Sequence, residues 1–294
     1  MMDPSYLTYP NRKQGQDHRV YDWRLSRDRK PIQWDNGSKL ALSFVVPLEF
    51  FSLNPSGLPF KHPGAMATPY PDLRHYTVRD YGNRVGVYRI LETLGDMRAG
   101  FAVNAMVAQR YSPLMDYLKS HEIIAHGVST DHIHHEGLSE AEEDVLIQQT
   151  LEALPSVSGW MSPARNQSSR TLERLGKAGL EYCLDWENEN IPVATTTGVT
   201  LVPNSYELSD FTLLHTRRQT EESWKRQILE AVDFLASEHD RFGGQSLCVT
   251  LTPYIIGQPF RIAMLTALLS DLRARGDVAI LTPGEVASQF KAQQ

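Results

Sequence analysis

The run KLALSFVVPLEFF, residues 39–51, is apolar almost without interruption and rich in β-branched residues. A strand with one wet face alternates apolar and polar side chains, whereas a strand buried on both faces reads as a continuous apolar run. The run therefore predicts a strand in the middle of a parallel sheet. Pro47 is expected to end its ladder pairing, because proline has no N–H to give.

Downstream, residues 52–76 are rich in Pro and Gly, which predicts a long loop of the kind that usually carries function. Between 79 and 97, Val85, Tyr88, Leu91 and Leu94 recur at helical spacing and predict a helix with one apolar face. GFAVNAMVA (100–108) and EIIAHG (122–127) read as the next strands, with a short helix between them. The segment 137–154 is the clearest helix, since Ser139 and Glu142 have the spacing of a capping box. Strand and helix then alternate through VSGWMSP (157–163), EYCLDWE (181–187), GVTLVPNSYELSD (198–210) and SLCVTLTPY (246–254) to a closing strand and helix. Seven such alternations predict an α/β fold with a parallel sheet closed into a barrel. Residues 1–38 are polar and read as an N-terminal arm, and 39–294 as a single barrel domain without internal repeats.

Hydrophobic residues make up 41% of the 294 positions and charged residues 22%, with a formal charge of −6. There is no basic stripe, so a nucleic-acid partner is not expected. No run has the length of a membrane span, and the N-terminal segment lacks the apolar core of a signal peptide. A cytoplasmic location is expected. Cys183 and Cys248 are far apart, outside any CxxC pair, and read as buried thiols.

In a parallel barrel the active site lies at the C-terminal strand ends. Those ends carry Glu49; His126 with Ser129, Thr130 and Asp131; Ser162, Arg165 and Asn166; Asp185, Trp186, Glu187 and Asn188; and Thr252 and Tyr254. Five of the ten histidines lie between 119 and 144, but only His126 falls at a strand end. His121 reads as a surface residue. His132, His134 and His135 read as a solvated loop, and the adjacent pair 134–135 would point opposite ways if extended.

EIIAHGVS (122–129), GWMSPARNQSSRTLERLGKAGLEYCLDWENENIP (159–192), LVPNSYELSD (201–210) and LTPYIIGQPFRI (251–262) resemble the polysaccharide deacetylase-like superfamily in order and spacing. RDYGNRVGVYRILE (79–92) resembles the branch of metal-independent allantoinases and cyclic imide hydrolases. The resemblance covers nearly the whole chain after Asp17. It implies a deformed (β/α)7 barrel of the polysaccharide deacetylase type, a small-molecule substrate and a homo-oligomer. The sugar deacetylases of the superfamily carry two adjacent aspartates after strand one, where this chain has Leu48 and Glu49. Their metal-binding histidine pair is matched by His126 and Thr130, and their late acidic histidine by Thr252 before Pro253.

Glu49 and His126 are thus the expected catalytic pair, with Asp185 beside them. Arg79, Tyr81, Ser129, Thr130, Arg165, Asn166, Trp186, Glu187, Asn188, Thr252 and Tyr254 are the expected substrate contacts. No cofactor is favoured. Glu49 and His126 also supply two ligands for a divalent metal such as zinc, which normally takes a third from the protein. The expected activity is hydrolysis of a C–N bond in a small cyclic amide, imide or ureide. The alternatives are a metal-dependent deacetylase of an N-acetylated sugar or related amide, and a degenerate barrel that binds without catalysis.

Overall fold

The computed structural model of the chain describes residues 18–55 and 68–294. The expected loop at 52–76 and the arm at 1–38 therefore lie partly outside the described residues. Its strands are β1 (Leu40–Leu48), β2 (Gly100–Val103), β3 (Glu122–Ala125), β4 (Gly159–Trp160), β5 (Tyr182–Cys183), β6 (Val193–Ala194), β7 (Thr200–Leu201), β8 (Gln245–Thr250) and β9 (Val278–Ile280). They form one curled sheet in the order β6-β7-β5-β4-β3-β2-β1-β8, with β9 also paired to β1. Every pairing is parallel except β6 with β7.

All nine residues of β1 are buried, as the continuous apolar run requires. Each large aliphatic side chain taken out of water there contributes about 1.5–3 kcal/mol. The role of Pro47 differs from the expectation. Pairing with β2 runs on through Pro47 to Leu48, while pairing with β8 stops at Val45. The Val45 carbonyl accepts from Leu251 N–H at 2.9 Å. Two residues on, Pro47 faces that same edge and has no N–H with which to continue the pairing with β8. On the edge of β8 away from β1, a single bridge from Ser205 to Val249 joins it to the segment after β7, so the sheet closes there by one bridge. The result is the deformed barrel expected, a half-open sheet wrapped by helices.

The first helix begins earlier than its periodicity suggests. It runs Leu73–Tyr81, passes through a π-helical turn at Gly82–Gly86, and continues as Val87–Leu94. Its cap is Asp72, which accepts from His75 N–H at 3.2 Å. The apolar stripe marks only the half that faces the core. The helix Glu140–Ala153 has the capping box between Ser139 and Glu142. Helices Glu221–Ser237, Ile262–Arg273 and Pro283–Lys291 cover the remaining faces. The expected strand at 198–210 is only Thr200–Leu201, and it is followed by a second π-helical turn at Phe211–Thr216. Strand β6 carries no sequence signal, because two residues are too few to show alternation.

The arm residues from 18 onward lie on their own barrel. Trp34 Nε1 donates to the Gln245 carbonyl at 2.7 Å, and Arg29 pairs with Glu189 at 2.5 Å. Cys183 and Cys248 are free and buried. Among the described residues, no helix is long and apolar enough to cross a membrane.

Candidate active site

At the C-terminal ends of the strands lies a cavity of about 160 Å3 lined by Glu49, His126, Arg165, Thr252 and Tyr254, with Pro47, Thr250, Tyr206, Ser209 and Phe211. A larger cleft of about 430 Å3 lies between the arm and residues 188–196. Only the smaller cavity sits where the expected chemistry converges.

His126 closes strand β3 with 1% of its surface exposed. Gly127 follows at φ +66°, and a Cβ there would lie 2.6 Å from the Pro163 ring. Only glycine lets the chain leave the strand at that point. Nδ1 of His126 lies 2.6 Å from the Met161 carbonyl. A carbonyl can only accept, so Nδ1 carries a proton, and in the tautomer with a single N–H Nε2 is bare. Nε2 is buried without a hydrogen-bond partner, and Glu49 Oε1 stands 3.7 Å from it. Two acceptors therefore face each other across a gap the size of one donor.

The turn carrying Glu49 is fixed from two sides. Asn83, in the π-helical turn, donates to the Glu49 carbonyl at 2.8 Å. Asn104, fully buried after β2, accepts from Phe50 N–H at 2.8 Å and donates to the His126 carbonyl. One side chain thus ties the glutamate turn to the histidine strand. Asn104 was not legible as a site residue, since after GFAV it reads as more strand. Glu49 forms no ion pair with Arg79 or Arg84; Arg84 instead lies 3.9 Å from Asp80.

Arg165 reaches the cavity from a backbone at φ +53°, next to Ala164 at φ +56°. Two successive non-glycine residues there store strain, a cost usually found at functional positions. Its Nη1 donates to the Asn204 carbonyl at 2.7 Å and stands 3.9 Å from Glu187. Burial disfavours its charge, opposed by Glu187 and Asp185. Tyr254 is held in a stack, with the Arg79 guanidinium 5.3 Å from its ring centre and 4.9 Å from that of Phe51. Arg79 thus supports the cavity wall and does not line it.

Several expected site residues build the framework. Asp185, expected in catalysis, accepts from Ser162 N–H at 2.8 Å and from Gln167 at 2.5 Å, so its carboxylate is spent on the β4–β5 loops. Trp186 donates to Gln167 and packs edge-on against His18 and Tyr21 of the arm. Asn188 lines the cleft beside the arm, and Glu187 accepts from Tyr206 N–H. Tyr81 accepts from Arg89. Ser129 bonds His132 at 2.8 Å, and Asn166 donates to the His134 carbonyl at 2.5 Å.

The solvated loop expected at 132–135 is corrected at His134. That ring is fully buried, and Nδ1 lies 3.0 Å from Glu143. Glu143 also accepts from Ser168 and Thr171. The signal for this burial, Glu143, sits on a helix nine residues away. His121 is part-buried and packs against Phe101, and burial pulls its pKa down.

The donor set does not fit a catalytic zinc. Thr130, at the third corner, donates its hydroxyl to the Phe50 carbonyl at 2.9 Å. Among the described residues, no group of three His, Cys, Asp or Glu side chains could hold a metal, whereas such a zinc takes three protein ligands.

No family model matches the chain, and no curated protein gives a significant sequence match. Solved structures do match. The Puue allantoinase aligns with TM-score 0.75 at 20% identity, over 91% of this chain and 95% of that one. A probable polysaccharide deacetylase from Pseudomonas aeruginosa PAO1 aligns with TM-score 0.74 at 19% identity, over 90% and 95%. At this identity the likeness establishes the fold: the chain has the deformed barrel of the polysaccharide deacetylase type.

Proposed function

We propose that the protein hydrolyses a C–N bond of a small cyclic amide, imide or ureide. The observation that carries this reading is the bare, buried Nε2 of His126 facing the Glu49 carboxylate at 3.7 Å at the cavity wall. Two facing acceptors are suited to hold the two hydrogens of one water, leaving its lone pair directed at a carbonyl. Glu49 takes a proton as that water adds, and His126 keeps the other hydrogen in place. The half-buried Arg165 guanidinium is suited to stabilise the oxygen on which charge develops. The cavity, about 160 Å3, suits a single small ring better than a polysaccharide. Fold likeness to an allantoinase and a probable deacetylase supports C–N hydrolysis as the reaction class.

The test is turnover of hydantoin, a dihydropyrimidine, succinimide and allantoin by the full chain, with Glu49→Gln and His126→Ala beside it. The expected result is ring opening of at least one substrate, a rate 10²–10⁴-fold lower in either variant, and no effect of chelator. Absence of turnover throughout, or full activity in Glu49→Gln, overturns the reading. Activity lost to chelation and restored by zinc would point to the metal-dependent deacetylase instead.

A further inference from the structure

An amide nitrogen leaves a tetrahedral carbon only if it is protonated as the bond breaks, because the free anion is too basic to be expelled at neutral pH. Besides Glu49, which holds the water's proton, and the phenols of Tyr206 and Tyr254, the lining has few groups that can give one. The N–H of His126 is committed to the Met161 carbonyl. The Ser209 hydroxyl donates to the Tyr206 carbonyl at 2.8 Å, and that of Thr250 to Asn204 Oδ1 at 3.0 Å. Thr252 is different. Behind it lies Asp210, with no exposed surface. Asp210 Oδ2 accepts the Thr252 N–H at 2.7 Å, and the Thr252 side chain bonds the same carboxyl. Oδ1 is buried without a hydrogen-bond partner.

We propose that Asp210 supplies the proton for the departing nitrogen, acting through the hydroxyl of Thr252. The proposal rests on the reading of the cavity as an amide hydrolase site. As the C–N bond breaks, its electron pair stays on nitrogen, which takes the proton of Thr252 Oγ1. That oxygen takes the proton of Asp210, which is left ionised. The proton removed from the attacking water sits on Glu49. After product release Glu49 returns it to solvent, and Asp210 is reprotonated through the opened cavity. Thr252 touches the substrate, and Asp210 positions and loads it.

The carboxyl is suited to this. Desolvation pushes Asp210 up to about 7, against the hydrogen bonds from Thr252, Phe211 and Ile256. The titratable group facing it is the Tyr254 phenol, itself raised by burial and flanked by Glu49 and Arg79. With Asp210 ionised, the Thr252 hydroxyl points back at it; with Asp210 protonated, that hydroxyl is released towards the cavity.

The test uses the full chain and the cyclic substrate it turns over best. In the wild type kcat is expected to fall as pH rises through about 7, with KM little changed. Asp210→Asn and Thr252→Val should each lower kcat about 100-fold and flatten that limb. The double variant should be no worse than either, and Thr252→Ser should restore both rate and limb. Infrared titration of the protonated carboxyl gives a readout independent of turnover: a band lost in Asp210→Asn and titrating near pH 7 in the wild type. A limb that persists in Thr252→Val, or moves only in Tyr254→Phe, overturns the relay while Glu49→Gln still tests the hydrolase reading. An Asp210 already ionised at pH 6 overturns the relay whatever the assays show. If the wild type turns over no substrate, both readings fall.

Discussion

Glu49 stands where the resemblance expects an aspartate, and the extra methylene carries its carboxylate to 3.7 Å from His126 Nε2. Shortening it should open that gap by about one bond length, and a displacement of about 1 Å at a reacting group can cost about 100-fold. Glu49→Asp is therefore expected to lower kcat by 10–100-fold with an unchanged melting curve; full activity in a folded Glu49→Asp would show that the spacing is irrelevant. Glu49 and His126 were legible because each closes an apolar strand that the sequence marks strongly. Asp185 accepts from Ser162 and Gln167, and an acidic cluster after a strand looks the same in sequence whether it faces a cavity or braces a loop. Asn104 and Asp210 gave no signal. What makes them matter, a bridge between two strand ends and a buried position behind Thr252, exists only in three dimensions.

The π-helical turn Gly82–Gly86 shows what an element contributes. A Cβ on Gly86 would lie 2.0 Å from the Pro253 carbonyl oxygen, so the turn is docked directly on the backbone of the loop that presents Thr252 and Tyr254. Gly86→Ala must push that loop away. An overpacked contact of this kind costs about 1–3 kcal/mol, and a lowered thermal midpoint together with a raised KM is expected. Gly276→Ala is the control, since nothing lies within 4 Å of a Cβ there; equal loss in both would show that the docking is not the cause. The helix 79–97 was legible as a helix, and its glycines were not, because close backbone approach leaves no mark on periodicity. The short strands β4, β5 and β7 were likewise visible only through their flanking turns, and β6 was not visible at all.

Across the whole molecule the parallel barrel was legible from alternation alone, since apolar runs and amphipathic helices are spaced by the crossover each parallel pair demands. The weak closure of the sheet, one bridge from Ser205 to Val249, was not, since strand pairing is set in three dimensions. Stability against acid has a local source. Burial raises the pKa of Glu143, but the bonds from His134, Thr171 and Ser168 prevail and bring it from 4.5 down to about 2. A carboxyl depressed on folding contributes stability above its unfolded pKa and loses it as pH falls through the folded one. The wild type should therefore lose about 3 kcal/mol between pH 4.5 and 2 from this site, seen by denaturant melts, and Glu143→Gln should lack that segment of the curve. An identical acid profile in the variant would remove Glu143 from the account. The most direct test of the central claim is a crystal structure of Glu49→Gln soaked with an intact cyclic imide. The account predicts the ring in the cavity between residue 49, His126 and Arg165, with a carbonyl carbon about 3–3.5 Å from a water on Nε2. A ring bound only in the cleft beside the arm, or a cavity that stays without the imide at saturating concentration, would contradict it.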